Sequence, residues 1–265
     1  MVGQLQGKVA IVIGAAGRGN MGQVIARAFA REGAQLVVAG RDATSLDELA
    51  AELGGVGIGC DITDEADLKQ LADTAVEHFG GVDLALNATG WGLLKPFLET
   101  TKEDMEKIVA LQFTGAMLFY QAMLRVMRDG GSLIQISSAT ASIMLEDHAA
   151  YMGTKAATDH VIRCIANEFG NRGIRANAIA PGFTATPMTE RASRNAAIID
   201  AFAKEYPLGR VGTSEDIADA AVWLASDHCF MTGQVLQVNG GLTLRRNPRN
   251  AEIGAAVRAA RAATI

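Results

Sequence analysis

An α/β fold, with a parallel sheet doubly wound by helices on both faces, is predicted by three features of the 265-residue chain. Short β-branched runs alternate with segments of helical apolar spacing, the pattern of strands that pair in parallel through helical crossovers. The first apolar run ends in a glycine-rich turn that opens a helix. No internal repeat or low-complexity linker divides the chain, so one domain accounts for 1–243, with 244–265 as a C-terminal extension.

In chain order, strands are expected at 8–13, 35–39, 56–59, 83–87, 132–137, 175–179 and 235–238. Helices are expected at 22–32, 43–53, 65–79, 102–128, 150–171 and 214–226. Right-handed crossovers between successive strands build a doubly wound sheet, which binds ligands at the carboxyl ends of its strands. The glycine-rich turn and the loop at Ser138 both fall at such ends.

Composition narrows the function classes. Apolar residues make up 49% and charged residues 20%, ordinary for a soluble globular protein. Net charge is −5 with scattered Lys and Arg, which gives no basic stripe for a nucleic-acid backbone and argues against that partner. Cys60, Cys164 and Cys229 show no paired metal-ligand spacing and read as reduced core thiols, so no metal is expected. The amino terminus enters a strand at Val9 without a signal sequence, and no apolar run reaches the ~20 residues of a membrane span. A cytoplasmic protein with no membrane partner is the expectation.

The turn Gly14-Ala15-Ala16-Gly17-Arg18-Gly19-Asn20-Met21-Gly22 leads into a helix starting near Gln23. Glycines here let the backbone approach a pyrophosphate, whose charge sits against the free N–H groups of the helix N-terminus. Gly14, Arg18, Asn20, Met21 and Gly22 are its candidate cofactor contacts, Gly14 and Gly22 foremost. The second strand ends at Ala39-Gly40-Arg41, where a reader of the adenosine ribose belongs. An NAD site places Asp or Glu there to accept from the 2′-OH; this chain has Gly40, then Arg41. Arg41 and Arg18 can instead clamp a 2′-phosphate, which favours NADP(H). NAD(H) is possible if Arg41 is a solvated surface residue and Asp42 takes the ribose.

Tyr151 and Lys155 stand four residues apart, and Ser138 thirteen residues before the tyrosine. Positions i and i+4 share a helix face, so the ammonium can lie beside the phenol. A free tyrosine titrates near ~10, and a fixed neighbouring cation is expected to pull that value down. Ser138, after the apolar run 133–136, can present its hydroxyl to a substrate oxygen. Alone it would equally be a strand-end cap; its spacing to Tyr151 separates the two. A phenol to move a proton, a hydroxyl to hold an oxygen and a dinucleotide to move a hydride make a carbonyl/alcohol oxidoreductase.

With these motifs assembled, the chain resembles the short-chain dehydrogenase/reductase family from residue 7 to about 243. The Tyr151 and Lys155 pair with Ile136-Ser137-Ser138 is similar to the family's catalytic signature. The resemblance implies a Rossmann-like seven-stranded fold and catalytic roles for Ser138, Tyr151 and Lys155. It also implies cofactor contacts from Asp61 and Ile62, and from Asn87 and Gly90 in Asn87-Ala88-Thr89-Gly90. Further implied contacts are Tyr151, Lys155, Pro181, Gly182, Thr184 and Thr186. The segments 207–210, 215–217, 232–234 and 239–241 match the C-terminal part of the pattern.

Two departures accompany the match. The glycine turn is two residues longer than the usual form if Gly14 and Gly22 are its outer glycines. Gln112 stands where the family usually has the asparagine that bends a helix and holds a water linking the lysine to solvent. Its amide, on a longer stem, either anchors that water or points elsewhere, and Gln112→Asn is expected to leave turnover intact or raise it. Two rival readings are a non-catalytic dinucleotide-binding sensor or scaffold, which would often lose the tyrosine or lysine, and an enone (C=C) reductase. The latter separates tyrosine and lysine more widely, and only the longer turn leans its way.

Trp91, Met144, Leu145, His148 and Phe183, with a helical lid at about 184–206, are expected to face the substrate. Such an apolar lining tolerates a bulky or aromatic ketone, a cyclic alcohol or an acyl-thioester ketone. Trp91 is a pocket wall or a core residue, and His148 a loop residue or a substrate contact. The Ala-rich tail carries arginines at 245, 246, 249, 258 and 261; it either crosses a subunit interface or forms a loosely ordered end. The long apolar helices at 102–128 and 150–171 fit the family's tendency to pair them, giving a homotetramer or homodimer.

Overall fold

In the computed structural model, which describes residues 3–262, seven parallel strands form one sheet. They are β1 (Val9–Ile13), β2 (Gln35–Gly40), β3 (Val56–Gly59), β4 (Val82–Asn87), β5 (Met127–Ile136), β6 (Arg175–Pro181) and β7 (Val235–Val238). Their order is β3-β2-β1-β4-β5-β6-β7, so the winding reverses between β1 and β4. That switch leaves a crevice at the carboxyl ends of the strands.

The helices are α1 (Met21–Arg31), α2 (Ala43–Leu53), α3 (Glu65–Phe79), α4 (Lys102–Val109), α5 (Gly115–Val126), α6 (Ala149–Phe169), α7 (Glu190–Ser193), α8 (Ala196–Ala203), α9 (Ser214–Ala225) and α10 (Asn250–Ala262). β1 is buried along its whole length, as a strand covered on both faces must be. Its side chains alternate between two cores. Ala10 and Val12 join Ile25 and Phe29 of α1, Leu46 of α2 and Ile217 of α9. Ile11 and Ile13 join Leu68 and Leu71 of α3, Phe119 of α5 and Ile162 of α6. Each fully buried Phe or Leu of these layers contributes roughly 1.5–3 kcal/mol.

Three expectations need correction. The helix expected to run unbroken over 102–128 contains a π-helical turn at Ala110–Thr114 and ends at Val126, because Met127 is already extended. β5 therefore begins at Met127 rather than 132, with a register shift against β4 where the left-handed Gly130 (φ +82°) breaks the pleat. Cys164 is exposed on α6, while Cys60 and Cys229 are buried as expected of core thiols. Burial pushes the Cys60 thiol up to about 12.

By length and composition the stretch Lys102–Val126 is apolar enough to cross a membrane. Its apolar face is occupied within the fold: Ala116, Phe119 and Met123 lie in the core beneath β4 and β5. The region between β6 and α9 is helical, with a 3₁₀ turn at Pro187–Thr189 before α7 and α8, in keeping with the expected helical segment at 184–206.

Candidate active site

The crevice opens into a cavity of about 860 Å³ built from the loops that follow β1, β4, β5 and β6, the helix α6, and the 184–206 segment. A cavity of this size matches those that enclose small-molecule ligands and cofactors.

At the β1 end, the turn is held by close backbone packing. Gly14 sits at φ +91°, and a Cβ there would lie 2.7 Å from the Ala88 carbonyl carbon. A Cβ on Gly22 would lie 2.5 Å from the Gly14 carbonyl oxygen, so α1 can approach the turn only as glycine. Asn20 stitches the longer loop together. Its side-chain Nδ2 donates to Gly14 O (2.8 Å), and its Oδ1 accepts from Gln23 N (2.9 Å) as the N-cap of α1. Gln23 accepts from Gly19 N and donates to Ser45, extending the brace to α2. Asn20, Met21 and Gly22 line the cavity, and α1 has no acidic residue in its first turn. A helix start of this kind exposes N–H groups and positive potential to an anion.

The ribose corner lies outside that cavity. A Cβ on Gly40 would meet Ala16 Cβ at 2.7 Å, so an acidic side chain cannot be added there without moving the turn. Arg18 is paired with Glu48 (2.6 Å). Arg41 is exposed and close enough to Asp61 to help hold that carboxyl below its ordinary value, although the bonds from the Thr63 amide and hydroxyl matter more. Asp42 caps α2 through Ser45 N. Ile62 is buried in the core, and Asn87, also buried, accepts from the amide and hydroxyl of Thr89, fixing the loop on which Gly14 packs.

Ser138, Tyr151 and Lys155 all line the cavity. β5 ends at Ile136, and the extended Ser138 begins a 3₁₀ turn, its Oγ accepting from Thr140 N and sharing a 2.8 Å hydrogen bond with Thr140 Oγ1. α6 carries the other two. The Lys155 Nζ donates to Ile136 O (2.8 Å) and lies 5.8 Å from the Tyr151 ring centroid. His148 packs edge-on against Tyr151 at 5.7 Å and also lines the cavity.

The electrostatics differ from the expectation that Lys155 lowers the phenol. Burial holds Tyr151 above its ordinary value, and a hydrogen bond with Ser138 is the influence that opposes it. The same burial holds Lys155 down to about 8, with the charge of Asp159 raising it. Asp159 follows Lys155 by four residues, completing a stripe on α6 in which Tyr151 is half-buried and Lys155 and Asp159 are buried. It was missed in the sequence although its spacing was visible there.

Gln112 is buried. From the π-helical turn its Oε1 accepts from Trp91 N (2.9 Å) and its Nε2 donates to Thr154 Oγ1 (2.7 Å), which in turn donates to Tyr151 O. A shorter amide cannot span both partners. The expectation for Gln112→Asn is therefore reversed: loss of about 1–2 kcal/mol in stability and a fall in turnover, checked by thermal unfolding and steady-state kinetics of the one variant.

Of the other expected residues, Gly90, Leu145, Pro181, Gly182, Phe183, Thr184 and Thr186 line the cavity. A Cβ on Gly182 would lie 2.2 Å from the Tyr206 hydroxyl, which donates to Phe183 O, so this glycine admits the end of the lid segment. Trp91 lies beneath the Lys107 ammonium at 4.8 Å from its ring, outside the cavity lining, and the Met144 side chain is exposed. Met188 and Thr189, within the expected 184–206 segment, also line the cavity, and Asn247, Asn250 and Ile253 of the tail do so without having been anticipated. Among the described residues, no group of three or more His, Cys, Asp or Glu could hold a metal ion.

Comparison with known proteins follows the same lines. A family model described as enoyl-(acyl carrier protein) reductase matches residues 14–243. The D-threitol dehydrogenase of Mycolicibacterium smegmatis is 35% identical over 250 residues, 91% of this chain and 95% of that protein. The L-tagatose-forming galactitol 2-dehydrogenase of Cereibacter sphaeroides is 35% identical over 249 residues, 91% of this chain and 97% of its own. A solved structure from Brucella melitensis, described as a short-chain glucose/ribitol dehydrogenase, superposes with a TM-score of 0.86 at 29% identity, covering 91% of this chain and 99% of that one. The sheet order, the turn after β1, the shared cavity of Ser138, Tyr151 and Lys155, and relatives that span the chain lead to one conclusion: the protein belongs to the short-chain dehydrogenase/reductase family and is an oxidoreductase of the CH–OH/C=O type.

Proposed function

We propose that the protein interconverts a ketone and a secondary alcohol with NADP(H), Tyr151 acting as the acid/base. The observation that carries this reading is the opening of Ser138, Tyr151 and Lys155 into the cavity that also receives the start of α1. The Gly14 and Gly22 approaches, the free N–H groups at Met21 and Gly22, and the buried Lys155 fit a dinucleotide, and these residues, with Gly90, Pro181, Gly182, Thr184 and Thr186, would hold it. When bound, the nicotinamide supplies or accepts the hydride.

Ser138 and Tyr151 hold the substrate oxygen between two hydroxyls. A phenol kept above its ordinary value stays protonated through neutral pH, which suits it to give its proton to the oxygen as the alcohol forms. Oxidation requires the phenol to lose that proton first, so the oxidative rate rises with pH. Lys155, with its pKa near 8, is a cation at neutral pH and favours the phenolate as it develops. Thr140 fixes the Ser138 rotamer, and the Gln112–Thr154 chain fixes the first turn of α6.

The preference for NADP(H) rests on Arg41. Gly40 has no room for an acid, one oxygen of Asp42 caps α2, and Arg18 is held by Glu48, which leaves Arg41 as the cation for a 2′-phosphate. Arg41→Ala is expected to raise KM for NADPH about tenfold, the worth of one charge-assisted bond, and to leave KM for NADH unchanged. Equal effects on both would assign the site to NAD(H).

The relatives' names point to sugar and polyol alcohols, and this chain's substrate is proposed within that wider class of secondary alcohols and ketones. Reduction of a carbon–carbon double bond is the second reading, favoured by the description of the matching family model. The four-residue Tyr151 to Lys155 spacing stands against it. Incubating the purified protein with NADPH or NADH and a ketone panel, then an enone panel, tests both. Oxidation of cofactor by enones alone would overturn the carbonyl reading, and binding without turnover of either panel would favour a sensor. A homotetramer, or a homodimer, formed through α4–α5 and α6 belongs to the same proposal, supported by the exposed Met105 and Val109 on α4 and checked by light scattering.

A further inference from the structure

The segment after β7 folds back over the cavity of its own chain. Its first residues are tied to the end of the lid segment: Arg245 donates to Lys204 O (2.9 Å), and Arg246 pairs with Glu205 (3.2 Å) and with Glu252 of α10 (2.7 Å). The next residues are tied to the loop between Ser138 and α6. Buried Asn247 donates to Met144 O (3.1 Å), and the Asn250 amide and side chain donate to Glu146 (2.7 Å) and Asp147 (2.8 Å). The segment thus straps the lid to the loop that leads into Tyr151, and α10 packs on α8.

The strap presents Asn247, Asn250 and Arg261 to the cavity, and one apolar residue, Ile253. Ile253 packs in one cluster with Leu145, Phe183, Ile198 and Phe202, and the Phe183 and Phe202 rings stack at 4.4 Å. Of the polar residues on this wall, Asn247, Asn250 and Glu146 are engaged in holding the strap, while Arg261 stands eight residues further along α10. A substrate hydroxyl directed at the cluster around Ile253 would lose water and meet apolar side chains, a cost that an apolar group does not incur.

We propose that the C-terminal strap is the specificity wall of this chain's own active site, with Ile253 selecting secondary alcohols and ketones that carry an aryl or cycloalkyl group over polyols. The proposal rests on the oxidoreductase reading above and deepens it. Ile253 touches the non-reacting part of the substrate, so its effect falls on recognition.

The test has a binding arm and a turnover arm, in the unsubstituted protein and in Ile253→Ala. In the first, calorimetry measures acetophenone binding in the presence of NADP+, a pair that cannot react. In the second, kcat/KM is measured for 1-phenylethanol and for threitol. The unsubstituted protein is expected to favour 1-phenylethanol by about tenfold or more. Ile253→Ala is expected to weaken acetophenone binding and to lower kcat/KM for 1-phenylethanol, each about tenfold, the scale on which apolar pockets discriminate, with the NADP+ Kd and the melting temperature unchanged. Ile253→Leu, which keeps the apolar volume, should recover most of both. Unchanged acetophenone binding in Ile253→Ala, or a preference of the unsubstituted protein for threitol, overturns the proposal. Turnover of neither alcohol, with acetophenone binding still lowered by the substitution, would instead remove the catalytic reading and leave the wall in place.

Discussion

Tyr151→Phe is expected to lower turnover by about 10² or more, the lower end of what general acid–base groups contribute. The substitution removes one hydroxyl and keeps the ring that packs against His148 at 5.7 Å. Ser138 retains its partner in Thr140, so the serine loop has no reason to move. Lys155 retains its bond to Ile136 O, so the cofactor side of the cavity is also preserved. The loss therefore falls on kcat with cofactor affinity intact. Stopped-flow measurement of the single-turnover rate beside the equilibrium Kd for NADPH checks it, and near-normal turnover would remove Tyr151 from the acid/base role.

Lys155→Met is expected to cost as much in kcat/KM, about 10² or more, and to weaken cofactor binding too. Its carbonyl partner, Ile136 O, also accepts from Gln135 Nε2 at 2.8 Å, so the neutral, similar-sized side chain leaves no orphaned acceptor at that point. What disappears is the cation. The same cation sets a pH limit. With its pKa held near 8 by burial, Lys155 loses its proton as pH rises through that value, and kcat/KM for the cofactor falls on that limb. Asp159 raises that pKa, so Asp159→Asn must move the limb to lower pH. Arg163 and Ser137, the other groups that favour the charged form of Asp159, are kept in this variant. An unmoved limb in Asp159→Asn would show that another group titrates there.

The fold was legible in the sequence because parallel strands buried on both faces leave continuous apolar runs, and every expected strand and helix has a counterpart. The errors lie where local pattern gives way to a neighbour. The π-helical turn at Ala110–Thr114 reads as ordinary helix in sequence; its Gln112 is tied to Trp91 and to Thr154, partners 21 and 42 residues away. β5 begins before 132 because Gly130 and Gly131, residues that often mark a turn, here interrupt a strand that has already begun.

In the site, short-range spacing carried Ser138, Tyr151 and Lys155 into one cavity. The same spacing rule, taken one turn further, reaches Asp159. Longer-range relations were not readable. That Arg18 turns to Glu48, thirty residues on, and that the tail returns to Met144 and Asp147 are matters of tertiary packing. The direction of the Tyr151 pKa was misjudged for a related reason: helical spacing predicts a cation nearby, but the depth of burial that outweighs it depends on the entire fold.

The strap also bears on how such a protein can diversify. Tyr151, Lys155 and Asp159 ride on a single helix, α6, and their mutual spacing cannot drift without breaking it. The proposed wall, in contrast, lies beyond β7, where insertion or exchange disturbs the register of no strand. A new substrate would then be acquired by rewriting that segment while the residues of α6 stay as they are.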